Sequence, residues 1–225
     1  ESVYMTLATT ALAYVLGLPM GVLLTVTKRG GIAAAPRFHA VFGWVVNILR
    51  SLPFLILMFF VIPFTRLVAG TSIGPTAALV PLTISASPFI ARMVEQSLEE
   101  IDAGVVEAAE CMGATKWQVV TRVLLVESVP SLLRGLSISV ITILGYTAIA
   151  GTVGAGGLGD IAVRYGHQRF ITSVMWVTVV ILIIMVQIVQ SLFGWLSKKI
   201  DKRLDTSKQT DFTQIAFLEH FRHIK

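Results

Sequence analysis

Long apolar runs separated by short polar segments dominate the chain. Four of these runs contain no charged residue: residues 3–27, 67–91, 135–159 and 170–197. Each is longer than the roughly 20 apolar residues that an α-helix needs to cross a hydrocarbon core about 30 Å thick. A fifth run, 51–65, can extend to residue 69, because the long side chain of Arg66 can reach the membrane surface. The pattern predicts an all-α membrane protein with five transmembrane helices, at residues 3–26, 51–69, 76–94, 129–150 and 171–196.

The charges are arranged as expected for a membrane protein rather than a nucleic-acid-binding protein. Only 14% of the 225 residues are charged, whereas about a quarter are charged in soluble domains. If the N-terminus lies outside, the outer segments contain few basic residues: Arg66, Arg164 and Arg169. The inner segments then contain Lys28, Arg29, Arg37, Arg50, Arg92, Lys116, Arg122, Arg134, Lys198, Lys199, Lys202 and Arg203. Because cytoplasmic loops are rich in Lys and Arg, we predict an outer N-terminus, a cytoplasmic C-terminus and no nucleic-acid partner.

A single transmembrane domain is predicted over residues 1–203, followed by a polar cytoplasmic tail, 204–225, without an assigned role. A cytoplasmic segment, 95–128, joins the third and fourth spans and contains Cys111, the only cysteine, so no intrachain disulfide can form. The sequence has no P-loop, no cluster of metal-ligating residues and no credible catalytic triad. We therefore expect neither a metal site nor an enzymatic activity in this chain.

The segment 95–128 has the pattern of two short amphipathic helices joined by a turn. Apolar residues recur at helical spacing in a first helix, at Leu98, Ile101, Val105, Ala109 and Met112, and in a second helix at Trp117, Val120 and Leu124. Gly113 allows a sharp turn between them, and Thr115 is the predicted N-cap of the second helix. The polar side of the first helix is acidic, with Glu99, Glu100, Asp102, Glu107 and Glu110. Membrane-surface helices favour Lys and Arg, so this acidity indicates a basic protein partner instead.

The same segment carries a recognisable motif. Glu107-Ala108-Ala109, followed by Gly113 and by Val123-Leu124-Leu125, resembles the EAA signature of permease subunits of bacterial ABC importers. The resemblance implies that residues 95–128, hereafter the coupling loop, dock on a separate cytoplasmic ATPase. The residues implied in coupling are Glu107, Ala108, Ala109, Gly113, Ala114, Thr115 and Leu125. The family pattern continues with a proline where this chain has Val126, and Pro130 follows four residues later, so we expect a changed start of the fourth span.

Other segments are similar to the permeases of methionine importers: residues 50–54, 62–66, 70–74, 87–95 and 153–159. Together they extend the resemblance over about residues 1–203. It implies the type I ABC importer permease fold in a bacterial inner membrane, with two copies forming a path for methionine. It also implies two ATPase subunits that bind ATP and Mg²⁺, a substrate-binding lipoprotein outside, and no cofactor on this chain.

Two other interpretations compete with a methionine permease. The same machinery could carry another small solute, such as a different amino acid, betaine or a phosphonate. An ion-coupled secondary carrier is less favoured, because such carriers have ionisable residues at mid-membrane and the uninterrupted runs contain none.

Polar residues within the predicted spans are candidates for the transport path, because polar groups facing lipid are costly. They are Thr83, Ser85 and Ser87 in the third span and Thr142, Tyr146 and Thr147 in the fourth. The alternative for the hydroxyl groups is a hydrogen bond to a carbonyl of their own helix.

A glycine-rich segment, residues 151–160, follows the fourth span and is hereafter called the glycine loop. Its glycines Gly154, Gly156, Gly157 and Gly159 are candidates for an outer gate, and the alternative is a tight turn that packs the flanking spans together. Nucleotide binding is excluded, because a membrane helix precedes the loop and no Gly-Lys-Ser/Thr sequence ends it.

Overall fold

The computed structural model describes residues 1–200, except for the side chains of residues 198 and 200. This part of the chain contains helices and no strand, as the apolar pattern predicts. Its α-helices are α1 Ser2–Thr27, α2 Pro36–Ser51, α3 Phe54–Phe60, α4 Ile62–Ala69, α5 Pro75–Glu99, α6 Ala103–Cys111, α7 Lys116–Gln118, α8 Leu125–Glu127, α9 Val129–Ala150, α10 Gly157–Ile161 and α11 Thr172–Ile200. Two π-helical segments occur among them, Val119–Leu124 and Ala162–His167, and Gly151–Ala155 contains a kink at Val153 and Gly154, whose dihedral angles are not helical. The predicted tail 204–225 lies outside the described residues.

Four helices within residues 1–200 are long and apolar enough to cross a membrane: Ser2–Thr27, Pro75–Glu99, Val129–Ala155 and Thr172–Ser197. A fifth span is reached only if α2 and α3, which meet at an angle of 101°, are counted as one bent span. The protein is therefore an all-α membrane protein with four to five candidate spans, in agreement with the predicted fold class.

The second predicted span, 51–69, is not one continuous helix. Ser51 is the last residue of α2, and α3 and α4 meet at Val61, whose φ of −89° and ψ of 0° depart from helical geometry. The break lies two residues before Pro63, whose ring cannot donate a backbone hydrogen bond. The stretch from α3 to α4 is about 24 Å long at 1.5 Å per residue, short of the hydrocarbon thickness. The structure therefore divides the second predicted span between two short helices that meet at Val61.

The core of the domain is the contact between α1 and α5, and two glycines of α1 make it close. A Cβ on Gly17 would lie 2.7 Å from Ile90 Cγ2, and one on Gly21 would lie 2.5 Å from the Ala91 carbonyl oxygen. Because glycines four residues apart lie on one helix face, they let the two backbones approach. Pro19 lies inside α1 between them.

The last third of the chain is built on α9. The glycine loop folds α10 back onto α9, and a Cβ on Gly159 would collide with the backbone of Ala148. The long helix α11 also packs on α9. At the far end of this contact, Ser197 Oγ donates a hydrogen bond to the Pro130 carbonyl at 3.1 Å.

Candidate functional site

The first helix of the coupling loop starts later than its apolar pattern predicts. Leu98 belongs to α5, which ends at Glu99, and α6 begins only at Ala103. The Asp102 carboxylate accepts a hydrogen bond from the Gly104 amide at 2.7 Å, so it caps a new helix and turns the chain away from α5. The prediction of one continuous helix from Leu98 to Met112 is therefore wrong.

The turn between the two short helices is defined by backbone and side-chain hydrogen bonds. Gly113 has a φ of +83°, and its amide donates to the Glu110 carbonyl at 2.9 Å. Thr115 then caps α7: its Oγ1 accepts from the Gln118 amide at 3.3 Å, and Gln118 Oε1 accepts from the Thr115 amide at 2.8 Å. This reciprocal capping box confirms the predicted N-cap and the sharp turn at glycine.

The coupling loop has a buried side and an exposed side. Ala109 of the motif is buried together with Val119 and Leu124, in the same apolar cluster as Ile90 of α5 and Ile143 of α9. The other implied coupling residues lie nearer the surface, since Glu107, Ala108, Gly113 and Thr115 are exposed while Ala114 and Leu125 are half-buried.

Two large apolar side chains project from the exposed side of the coupling loop. Met112 is 82% exposed and Trp117 is 75% exposed, although both belong to the helical apolar pattern that predicted a buried face. The apolar residues of this loop therefore form two surfaces, one that packs against the spans and one that faces away from the chain.

The predicted acidic face is smaller in the structure, because three of its five members are engaged elsewhere. Glu99 forms an ion pair with Lys28 at 2.8 Å, Glu100 lies 3.9 Å from Arg134, and Asp102 caps α6. Glu107 and Glu110 are exposed on α6 and line a groove between the coupling loop and the α1–α2 turn. Of the five carboxylates of the predicted acidic face, these two form no ion pair or capping hydrogen bond within residues 1–200.

The chain enters α9 without the family's proline. Helical geometry continues through Val126 in α8 and relaxes at Ser128, where φ is −85° and ψ is −3°. Pro130 then occupies the first turn of α9, where a missing amide hydrogen leaves no helix hydrogen bond unmade. The proline is thus displaced along the sequence relative to the family motif, but it still lies in the first turn of a helix, where proline is common.

A buried ion pair on α5 was not singled out from the sequence. Arg92 Nη1 lies 2.6 Å from Glu95 Oε2, and Arg92 Nη2 donates to the Gly43 carbonyl of α2 at 3.0 Å. The Glu95 side chain is only 9% exposed. The signal was the i, i+3 spacing of opposite charges at the end of an apolar run, which the sequence shows but does not mark as buried.

The six path candidates do not share one surface. Thr83, Ser85, Ser87 and Thr147 are buried within the chain, whereas Thr142 and Tyr146 are half-buried. Three of the hydroxyl groups donate a hydrogen bond to a carbonyl of their own helix: Ser87 to Thr83 at 2.7 Å, Thr142 to Ile138 at 2.9 Å and Thr147 to Leu144 at 2.8 Å. The Tyr146 ring stacks on Phe54, with ring centroids 4.8 Å apart.

The glycine loop uses its glycines for backbone geometry and close packing. Gly154, Gly156 and Gly157 have φ values of +98°, +82° and +82°, in the left-handed region. The start of α1 is attached here: the Glu1 carboxylate accepts from the Gly157 amide at 2.9 Å, and Ser2 Oγ accepts from the Leu158 amide at 2.8 Å. These contacts, and Gly159 against α9, describe a tightly packed turn.

The fold and the coupling loop match one protein family along most of the chain. Residues 13–204 match the model of the binding-protein-dependent transport system inner membrane component. The chain belongs to this family, and it is a multi-pass component of a bacterial inner-membrane transport system. The predicted class of protein and its location are confirmed.

Named relatives narrow the comparison. The chain is 48% identical over 203 residues to the probable D-methionine transport system permease protein MetI of Vibrio cholerae, which covers 90% of each chain. It is 50% identical over 151 residues to the D-methionine transport system permease protein MetI of Escherichia coli, covering 67% of this chain and 70% of that protein. A solved structure of the MetNI methionine ABC transporter in an inward-facing conformation aligns with a TM-score of 0.89 at 46% identity, over 90% of this chain and 94% of that one.

Proposed function

We propose that this chain is the membrane-spanning subunit of an ATP-driven methionine importer. The exposed side of the coupling loop is the observation that supports this role most directly. Met112, Trp117, Glu107 and Glu110 are each exposed within residues 1–200. Exposed apolar residues rimmed by charge suit a protein partner, and the similarity to MetI over 90% of the chain supports methionine as the substrate.

In the proposed assembly, two copies of the chain form one path through the membrane. Two ATPase subunits bind ATP and Mg²⁺ and each holds one coupling loop, while a substrate-binding lipoprotein delivers methionine on the other side. The N-terminus lies outside and the C-terminus in the cytoplasm, as the distribution of Lys and Arg favours. The chain itself hydrolyses no ATP.

Force on the coupling loop would reach the spans through buried contacts. Ala109, Val119 and Leu124 of the loop pack in one cluster with Ile90 of α5 and Ile143 of α9. Because a close-packed cluster deforms little, a displaced loop moves these helices with it. Closure of the ATPases on ATP would then favour one of two rigid-body arrangements of the spans.

The path between two copies must be lined by side chains that one copy leaves accessible. Of the six candidates, the requirement for accessibility favours Thr142 and Tyr146, since the other four are buried inside the chain. A path without charged residues would bind a zwitterionic amino acid weakly. Selectivity would then reside mainly in the substrate-binding protein, with the glycine loop at the outer end as a gate.

Transport by purified components tests the substrate. The chain would be reconstituted in proteoliposomes with its ATPase and binding protein, and uptake of labelled methionine measured with and without ATP. We expect ATP-dependent uptake that excess unlabelled methionine abolishes and that betaine or a phosphonate leaves unchanged. Competition by another solute but not by methionine would reassign the substrate, and uptake driven by an ion gradient without ATP would overturn the ABC mechanism.

A matched pair of variants tests the docking surface. We expect Met112→Ser to weaken association with the ATPase by about 10- to 100-fold, because a fully buried Met contributes about 1.5–3 kcal/mol. Phe170→Ser is the control, since Phe170 is 85% exposed but lies in the turn before α11 rather than in the coupling loop. Equal affinities of the two variants would contradict docking at Met112.

A further inference from the structure

The helix α11 lies at the edge of the domain. Only 6% of its most apolar stretch is buried, compared with 67% for α5. Its buried residues Thr178 and Ser197 and its half-buried apolar side chains between them lie on one side of the helix, and α9 is the helix that α11 contacts most. The rest of its surface is therefore exposed along the whole length of a candidate span.

The exposed surface of α11 divides into two flanks of different chemistry. One is entirely apolar, with residues at steps of three and four: Val177, Ile181, Ile184, Ile188, Leu192 and Trp195. The other, hereafter the polar flank, contains Gln187, Gln190, Ser191 and Gly194, and the exposed apolar residues Trp176, Val180 and Ile183 continue it toward the start of the helix. At 100° per residue the two sets are centred about 100° apart on the surface that faces away from α9.

The polar flank lies at the depth where water is scarcest. Gln187 is about 22 Å along the helix from Thr172, close to the midpoint of a helix of 29 residues. Within residues 1–200 the side-chain amides of Gln187 and Gln190 have no hydrogen-bond partner. An amide group exposed to lipid loses its hydrogen bonds, so this flank is poorly suited to face hydrocarbon.

We propose that the polar flank of α11 contacts the same flank of a second copy of this chain. A glutamine amide carries both donors and an acceptor, so two copies related by a two-fold axis can satisfy each other. A Cβ on Gly194 would meet no atom within 4 Å in this chain, which leaves room for close approach of a second helix. The apolar flank then faces lipid. This inference rests on the proposed two-copy assembly and names the surface that forms it.

Disulfide cross-linking in the membrane tests the contact, and the chain is well suited to it. Cys111 is the only cysteine of this chain, so Cys111→Ser gives a cysteine-free permease, which would be studied in the complete complex with the ATPase. Single cysteines would be introduced by Gln187→Cys, Gln190→Cys or Ser191→Cys. The controls are their sequence neighbours on the apolar flank, Ile188→Cys and Leu192→Cys. A disulfide forms only when the two Cα atoms come within about 7 Å.

We expect at least one polar-flank cysteine to form covalent dimers on oxidation, at a yield at least tenfold above both controls. Equal or greater cross-linking of Ile188→Cys or Leu192→Cys would overturn the assignment of the flank. Polar-flank cysteines that react with a water-soluble maleimide but do not cross-link would also overturn it, because the flank would then line an aqueous path.

The molecular mass of the complex separates failure of this inference from failure of the proposed function. Native mass spectrometry that shows two copies, together with no cross-link at the polar flank, overturns only the contact. A single copy in an active complex overturns both.

Discussion

Replacement of Gly113 would test the turn of the coupling loop without creating a steric clash. Its φ is +83°, and a Cβ at this position would meet no atom within 4 Å. The cost of a side chain is therefore backbone strain, about 1–2 kcal/mol for an ordinary residue in the left-handed region. Asn tolerates this region best and β-branched residues worst. We expect ATPase affinity to decrease in the order Gly113, Gly113→Asn, Gly113→Ala, Gly113→Val.

The magnitude follows from the fraction of chains that keep the native turn. Strain of about 1–2 kcal/mol changes that equilibrium by about 5–30-fold. The apparent Kd rises in proportion once the native turn becomes the minor conformation. Titration of the purified chain with the ATPase would measure this change, and ATP-dependent uptake should fall in the same order.

Gly70 supplies a control with the same backbone constraint. It has a φ of +72°, and a Cβ there would also meet open space, but it lies in the turn after α4, far along the chain from the coupling loop. Gly70→Val should lower stability as Gly113→Val does and leave ATPase affinity unchanged. If Gly113→Val bound the ATPase as well as Gly70→Val does, the turn would have no part in docking.

Three further substitutions test the packing and caps of the domain. Gly21→Val should lower the free energy of unfolding by about 1–3 kcal/mol, because the added side chain overpacks the contact with α5. Thermal denaturation in detergent would measure the change, and an unchanged melting temperature would contradict the close α1–α5 contact. Arg92→Met should lower the free energy of unfolding by about 3–5 kcal/mol, because it leaves buried Glu95 unpaired. Adding Glu95→Leu should restore much of the lost stability, and a double variant as unstable as the single one would refute the role of the ion pair. Thr115→Ala should weaken the start of α7 by about 1 kcal/mol and speed hydrogen exchange at residues 116–118, whereas Thr115→Ser should not.

The sequence predicts the long helices well, because uninterrupted apolar runs have few alternatives in a membrane. It fails where a local side-chain interaction overrides periodicity. Asp102 lies within a run that continues at helical spacing from Leu98, yet its carboxylate starts a new helix. Pro63 similarly ends a helix that hydropathy alone would continue.

The functional surfaces were harder to predict than the helices. Helical spacing identified Met112 and Trp117 as members of an apolar pattern. It did not show that both residues lie on the exposed side of the helix pair. Of the six polar path candidates in α5 and α9, four are buried inside the chain, and only Thr142 and Tyr146 are half-buried. The amides of Gln187 and Gln190 were equally visible in the sequence, but only the packing of α11 on α9 shows that they point away from the chain.

The contact between α1 and α5 determines which helices of the domain would move together. Gly17 and Gly21 hold the inner part of α1 against residues of α5 that follow Pro88, and the Lys28–Glu99 ion pair joins the same two helices at their ends. Pro81 and Pro88 interrupt the hydrogen bonding of α5 just before this joined region. A tilt of α5 imposed at the coupling loop would therefore carry α1 along with it, although α1 lies far from the loop in sequence.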